Sequence, residues 1–183
     1  MTAAAEELRE LRQRVGSELT SVGSGPQVKA GVRSMARLPL PLTAKYRSID
    51  AEALVRCNTT GDSRAQVMER MGGLAKALNI LEKYGCNLTN PSKPRYWRSV
   101  KHNNPVFQST VDGMQGGRGI LNLYGYTTQN IDGLSFPDDV AQPDINNVAA
   151  VTVEVMCLCL EVNMLIKCLL PPMGVTCVAP FPR

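Results

Sequence analysis

Residues 93–104 combine basic, aromatic and amide side chains in one short segment, KPRYWRSVKHNN. Its lysines and arginines alternate with Tyr96 and Trp97, an arrangement that can bind nucleic acid through phosphate contacts and base stacking. The same segment can bind an acidic peptide, in which case Lys101 pairs with a carboxylate and neutral amides select an anchor by hydrogen bonding. A third interpretation is structural, with Trp97 and one tyrosine in the core and the basic residues in a solvated rim.

Three neutral amides favour the peptide interpretation slightly. They are Asn103 and Asn104 within the segment and Asn87 just upstream, which lies close to Tyr84 near the end of a predicted helix. A phosphate-binding site would favour Arg and Lys at these positions instead. We therefore expect a peptide-binding site, and nucleic-acid binding is the alternative.

Signals for catalysis and for metal binding are weak. His102 is the only histidine and the six cysteines contain no CxxC pair, so neither a zinc site nor a Cys-His catalytic pair is indicated. The glycines of GMQGGRG lack the GxxxxGKS/T order of a phosphate-binding loop. We expect a non-catalytic domain with reduced cysteines and no cofactor.

Length, composition and charge limit the class of protein to which this chain can belong. The chain has 183 residues, of which 44% are apolar and 20% charged, as is typical of one ordinary globular domain. The net charge of +4 is uneven, since residues 56–118 contain ten Lys or Arg against four acids and residues 119–183 contain two against six. The charged N-terminus lacks the apolar run of a signal peptide, so secretion is not supported, and the cysteine usage points to the cytosol or nucleus. Segment 148–170 is long enough to span a bilayer, but the two glutamates, asparagine and lysine within it favour a buried helix.

Hydrophobic periodicity predicts helices in the first half of the chain. An amphipathic helix is followed by a loop at 21–26 and a short helix around Tyr46, and Asp50 is expected to cap another helix. A long helix should begin with the capping box Ser63–Gln66 and end at Gly85. The apolar positions of the first and the long helix are Leu8, Leu11, Val15, Leu19 and Val22, and Val67, Met71, Leu74, Leu78 and Leu81.

The second half mixes strand and helix signals. Prolines and aromatics favour extended chain before residue 104, and Asn104 followed by Pro105 is a strong helix start. A hairpin is predicted with its turn near Asp132-Gly133, and a last helix with period-3.6 spacing from Val151 to Leu169. The buried face of the helix after Asn104 should comprise Val106, Phe107, Thr110, Val111 and Met114, and Gly116 and Gly117 should break or close this helix. These elements predict a helix-rich α+β domain with a small antiparallel sheet packed against helices.

Several longer segments resemble a known family. NILEKYGCNL, PRYWRSVKHNNPVFQSTVDGMQGGR, LYGYT and DGLSFP follow in fixed order, with LVRCN upstream, and closely resemble the PUB domain of a linear-ubiquitin ligase. The resemblance covers residues 38–165 and is densest between 78 and 136. It divides the chain into an N-terminal helical extension (1–37), the PUB domain (38–170) and an atypical tail (171–183), where prolines stop a helix that the family would continue.

The resemblance implies a non-catalytic docking module. PUB domains bind short acidic-aromatic peptides called PUB-interacting motifs, which implies OTULIN, valosin-containing protein and the CYLD adaptor as partners. The family's pocket corresponds to Tyr84, Asn87, Lys101, Asn103 and Asn104. His102 stands where the family has an aromatic residue, and no role is carried over to it.

The resemblance also implies a wider cellular setting. It places the domain in the cytoplasm and in NF-κB signalling, with neither nucleic acid nor membrane as a partner. The catalytic part, and the contacts with the other subunits of the linear ubiquitin chain assembly complex, are expected in parts of the parent protein that this sequence does not contain.

Overall fold

The apolar segment near the end of the sequence forms the central helix of the fold. A computed structural model describes residues 2–170. The helices are α1 (Ala3–Ser21), α2 (Pro26–Arg37), α3 (Leu42–Lys45), α4 (Ala51–Thr59), α5 (Arg64–Thr89), α6 (Pro105–Ser109), α7 (Gly117–Tyr124) and α8 (Ile145–Leu169), and the strands are β1 (Ser99–Lys101), β2 (Thr128–Asn130) and β3 (Gly133–Ser135). This is the helix-rich α+β architecture that the sequence predicts.

Helix α8 is surrounded by other helices over most of its length. It runs antiparallel along α5 and also packs against α1, α2 and α7. Every residue from Val148 to Cys159 except Ala150 is buried. Within residues 2–170, α8 is the helix long and apolar enough to cross a membrane by length and composition, but most of its apolar stretch is buried in this fold. The predicted helix is confirmed, although Leu165 and Leu169 near its end are exposed.

The N-terminal helices complete the same core. Helix α1 buries Leu8, Leu11, Val15 and Leu19 as predicted, but the prediction for Val22 is wrong, because Val22 follows the last turn and is 80% exposed. Sequence reasoning missed α2, in which Pro26 occupies the first position and Val28, Val32 and Met35 follow at helical spacing. Both helices pack on α8 in one continuous hydrophobic cluster. The domain boundary at residue 37 stays a prediction.

Helix α5 begins as predicted and ends later. The Ser63 hydroxyl accepts a hydrogen bond from the Gln66 amide, whereas the Gln66 side chain reaches back to the N–H of Asp62. The predicted end at Gly85 is wrong, since the helix continues to Thr89. Gly85 is instead a point of close approach, where the hydroxyls of Thr152 and Tyr124 occupy the space that a Cβ would need. This longer α5 carries two candidate site residues, Tyr84 and Asn87, within its last two turns.

The second half contains a small sheet and two short helices. The strand order is β1-β3-β2, all antiparallel, and the β2–β3 pair is the predicted hairpin. Residues 95–98 form a turn, so only β1 confirms the extended chain expected before Asn104. Gly116 and Gly117 do not close α6, which ends at Ser109, but separate it from the next helix, because Gly116 has φ of 88° and caps the start of α7. Helix α6 is only five residues long, and Val106 is 52% exposed instead of buried.

Two glycines of α5 should respond in opposite ways to alanine. Gly85→Ala places a Cβ against the hydroxyl of Thr152 and 2.8 Å from that of Tyr124, so we expect a loss of about 1–3 kcal/mol in the free energy of unfolding. Gly72→Ala meets no neighbour within 4 Å and should gain about 0.5–1 kcal/mol from helix propensity. Urea denaturation of both variants checks this, and equal effects would contradict the packing of Gly85 against α8.

Candidate functional site

A cleft of about 340 Å³ lies between the end of α5 and the start of α6. It is lined by Ile80, Lys83, Tyr84, Asn87, Asn104, Val106 and Phe107. Three of the five predicted site residues, Tyr84, Asn87 and Asn104, therefore meet at one place. Lys101 and Asn103 do not line the cleft but stand immediately before Asn104 in the chain, at the end of β1 and in the following turn, and both are exposed.

One wall of the cleft is a face of α5. Ile80, Lys83, Tyr84 and Asn87 share it because their spacing is i, i+3, i+4 and i+7. Tyr84 is half-buried and packs edge-on against Tyr126 with ring centroids 6.4 Å apart. Burial raises the pKa of the Tyr84 hydroxyl above its ordinary value, so this group stays protonated at neutral pH and can donate a hydrogen bond.

The opposite wall is the first turn of α6. The Asn104 side-chain oxygen accepts hydrogen bonds from the N–H groups of Val106 (2.9 Å) and Phe107 (3.3 Å), which confirms the predicted N-cap. Since the cap uses the oxygen, the NH₂ group of Asn104 is left to donate. The cap thus fixes the position of the Asn104 side chain and leaves a hydrogen-bond donor, the NH₂ group, available to a ligand.

Lys101 already has a partner in this fold. Its ammonium forms an exposed ion pair with Asp132, in the turn between β2 and β3. The hydrogen bond from Lys101 lowers the pKa of Asp132 below its ordinary value. Asp132 was not predicted as part of the site, because only the pairing of β1 with β3 brings it close to Lys101. A carboxylate ligand of Lys101 would have to displace Asp132 or share the lysine with it.

His102 and Lys83 complete the surroundings of the cleft. The His102 ring stacks on Phe107 with centroids 5.6 Å apart, and its backbone N–H donates to the Asp132 carbonyl at 2.8 Å. Its Nε2 is buried without a hydrogen-bond partner among the described residues.

Lys83 was not predicted as a site residue, although its position four residues before Asn87 on the same helix could have indicated it. Lys83 provides a second ammonium at the cleft, and the described ion pairs do not include it.

The basic-aromatic segment is largely used for structure. Both terminal nitrogens of Arg98 donate to backbone carbonyls of Pro137 and Val140, and the guanidinium lies over the Trp97 ring at 5.1 Å. Trp97 is partly buried against Phe136, with ring centroids 5.0 Å apart. Tyr96 alone among these aromatics is widely exposed. This arrangement weakens the nucleic-acid alternative, because Trp97 and Arg98 are engaged within the fold and are not free for base stacking and phosphate contacts.

The cysteines and acids suggest no metal site in the part of the chain that the structure describes. Across residues 2–170, no group of three His, Cys, Asp or Glu side chains is placed to hold a metal ion. Five cysteines in this range are unpaired thiols, namely Cys57, Cys86, Cys157, Cys159 and Cys168. Cys177 lies outside the described residues. Asp138 and Asp139, adjacent in the sequence, are exposed.

Comparison with known proteins identifies the class. Residues 73–150 match the profile of the PUB domain family, a range that contains both walls of the cleft and the whole sheet. This chain therefore carries a PUB domain, a non-catalytic protein-interaction module.

The particular relatives are two ubiquitin ligases. The chain is 52% identical over 136 residues to E3 ubiquitin-protein ligase RNF31 of Homo sapiens, also called HOIP, a match that covers 74% of this chain and 12% of the relative. It is 55% identical over 128 residues to RNF31 of Mus musculus, covering 70% of this chain and 12% of that relative. These matches confirm the resemblance to PUB domains that the sequence motifs indicate. The chain spans only a small part of the relatives' length.

The ion pair at the rim of the cleft gives a direct pH prediction. Because the folded pKa of Asp132 is lowered, the pair is fully formed at neutral pH and is lost only as the pH falls through that folded value. We expect the ¹³C carboxyl signal of Asp132 to titrate below the ordinary aspartate range in the native chain. In Lys101→Met the midpoint should rise toward the ordinary value. An identical midpoint in both proteins would contradict the pairing.

Proposed function

We propose that this chain is a peptide-docking module that binds PUB-interacting motifs of OTULIN, valosin-containing protein and the CYLD adaptor. The observation that carries the proposal is the cleft itself, in which Tyr84, Asn87 and Asn104 converge beside Lys101 within the range that matches the PUB family. The module would belong to a linear-ubiquitin ligase and act in the cytoplasm, in NF-κB signalling, without nucleic acid or membrane as a partner. The relatives' printed name, E3 ubiquitin-protein ligase, supports this setting.

The chemistry of the cleft suits an aromatic and acidic ligand. A peptide aromatic ring would insert beside Tyr84, and its polar edge would meet the amides of Asn87 and Asn104. The ligand's carboxylates would meet the ammonium groups of Lys83 and Lys101. Since Lys101 exchanges one exposed carboxylate for another, it contributes more to steering and selectivity than to net affinity.

Ubiquitin transfer is assigned to other parts of the parent protein. The described residues present a cleft of neutral amides and lysines, which can hold a peptide but offers no activated nucleophile. The chain would act by placing a partner next to the ligase. Contacts with other subunits of the ligase complex would use the parts of the parent protein beyond this domain.

Substitutions at the rim test the proposal. Lys101→Glu replaces the ammonium with a carboxylate that repels the ligand's acids and stands beside Asp132, so it should weaken binding of an acidic-aromatic peptide more than tenfold. Asn103→Ala should also weaken binding. It is a cleaner change than Asn104→Ala, which would cost about 1 kcal/mol of stability by removing a helix cap. Isothermal titration calorimetry with a synthetic motif peptide measures each dissociation constant.

A matched control separates the site from general charge effects. Lys76→Glu makes the same charge change on α5 at an exposed position that does not line the cleft. We expect it to leave the dissociation constant within a factor of about two. Equal weakening by Lys76→Glu and Lys101→Glu would reject the cleft as the peptide site.

Phosphorylation of the ligand should abolish binding where the anchor is a tyrosine. A phosphate dianion must lose most of its hydration to enter beside the half-buried Tyr84 and the neutral amides, and the exposed Lys83 ammonium offsets little of that free-energy cost. Calorimetry with matched tyrosine and phosphotyrosine peptides measures the difference. Equal affinity for the two peptides would rule out insertion of the aromatic ring into the cleft.

A further inference from the structure

A second cavity, of about 330 Å³, lies between α1, the segment 47–48 and the first turns of α8. Its polar lining includes Arg12, Gln13, Ser17, Arg47, Ser48 and Asn146. It shares no lining residue with the cleft between α5 and α6. Most of these side chains are hydrogen-bond donors, and two of them are arginines.

Arg12 lacks acceptors for part of its guanidinium. Its side chain is 15% exposed, its Nη2 donates to the Lys45 carbonyl, and the same nitrogen lies 3.7 Å from Glu154 Oε1. Its Nε and Nη1 are buried without a hydrogen-bond partner among the described residues. Buried N–H groups of a charged side chain are rarely left without an acceptor, because the desolvation cost is then uncompensated. Arg12 also lines the cavity and contributes its positive charge there.

Glu154, the acid that lines the cavity, does not accept a hydrogen bond from the Nε or Nη1 of Arg12. Both oxygens of Glu154 are engaged by backbone N–H groups, Oε1 with Arg47 at 2.9 Å and Oε2 with Ser48 at 2.8 Å and Ile49 at 3.1 Å. Arg47 takes part in none of the ion pairs of residues 2–170 and is exposed. Two arginines against one glutamate leave the lining with an excess positive charge. Burial lowers the pKa of Arg12, and the charge of Arg47 adds to this against the opposing effect of Glu154.

We propose that this cavity binds a phosphate group, either as inorganic phosphate or as a phosphate monoester. Donors reach it from three elements: Arg12 and Ser17 from α1, Arg47 and Ser48 from the segment before α4, and Asn146 from the N-terminal turn of α8. A tetrahedral oxyanion can accept from several directions at once, whereas a planar carboxylate has only two oxygens to offer.

Nuclear magnetic resonance titration of the whole chain tests the site. Sodium phosphate is added to ¹⁵N-labelled protein at constant ionic strength, with chloride as the balancing anion, and the Arg12 Nε–Hε signal and the amides of Ser17 and Ser48 are followed. We expect saturable shifts with a dissociation constant on the order of millimolar. Arg47→Gln should weaken binding about tenfold. Its exposed position makes it a safer variant for folding than Arg12→Gln.

The control and a second ligand define the outcomes. Arg14→Gln removes the same charge from an exposed position on α1 outside the cavity and should leave the dissociation constant unchanged. O-phospho-L-serine that binds more tightly than inorganic phosphate would assign the site to a phosphate monoester, and weaker or equal binding would assign it to the free ion. Linear shifts without saturation, or equal weakening by Arg14→Gln and Arg47→Gln, would overturn the proposal. Peptide binding at the cleft is measured in a separate experiment. A negative result for phosphate at the cavity therefore leaves the proposed peptide binding untouched, and the reverse also holds.

Discussion

The burial of α8 is the constraint on which the rest of the structure depends. A helix enclosed by its neighbours must have its charged groups paired, because an unpaired buried carboxylate costs several kcal/mol. Glu154 is 4% exposed and receives three backbone N–H groups from residues 47–49. Glu161 accepts from Lys45 Nζ and the Tyr46 hydroxyl, both at 2.5 Å. The chain between α3 and α4 is therefore fixed by two acids of the central helix.

The same polar contacts tie the N-terminal helices to the domain. Lys45 also donates to the Ala36 carbonyl at the end of α2, at 2.8 Å, and Arg12 of α1 donates to the Lys45 carbonyl. Burial raises the pKa of Tyr46, so its hydroxyl remains a donor to Glu161 at all ordinary pH values. Apolar packing alone would let helices slide along one another. These directional contacts set the register of α1, α2 and α8, since each donor must meet its acceptor.

The helix caps and the hairpin are predicted correctly from adjacent residues, although the local signal of α2 was missed, and contacts distant in sequence are not predicted. The caps at Asp50, Ser63 and Asn104 and the hairpin at 128–135 each depend on a few adjacent residues, and all were predicted. A glycine can end a helix or permit close packing, and only the contact of Gly85 with Thr152 decides between them. The Lys101–Asp132 pair likewise requires the pairing of β1 with β3. Three site residues line one cleft because helical spacing and a cap position them, and the role of all five as ligand contacts stays a prediction.

The polarity of the cleft follows from which acceptors the fold has already used. The Asn104 oxygen is committed to the cap of α6, and the Asp132 carboxylate is paired with Lys101. The groups left to a ligand are mainly donors: the Asn104 NH₂, the Lys83 ammonium and the protonated hydroxyl of Tyr84. Because donors without acceptors select acceptor-rich ligands, a preference for acidic peptides does not depend on the net charge of +4. It depends on a helix cap and a strand pairing, which engage the Asn104 oxygen and the Asp132 carboxylate within the fold.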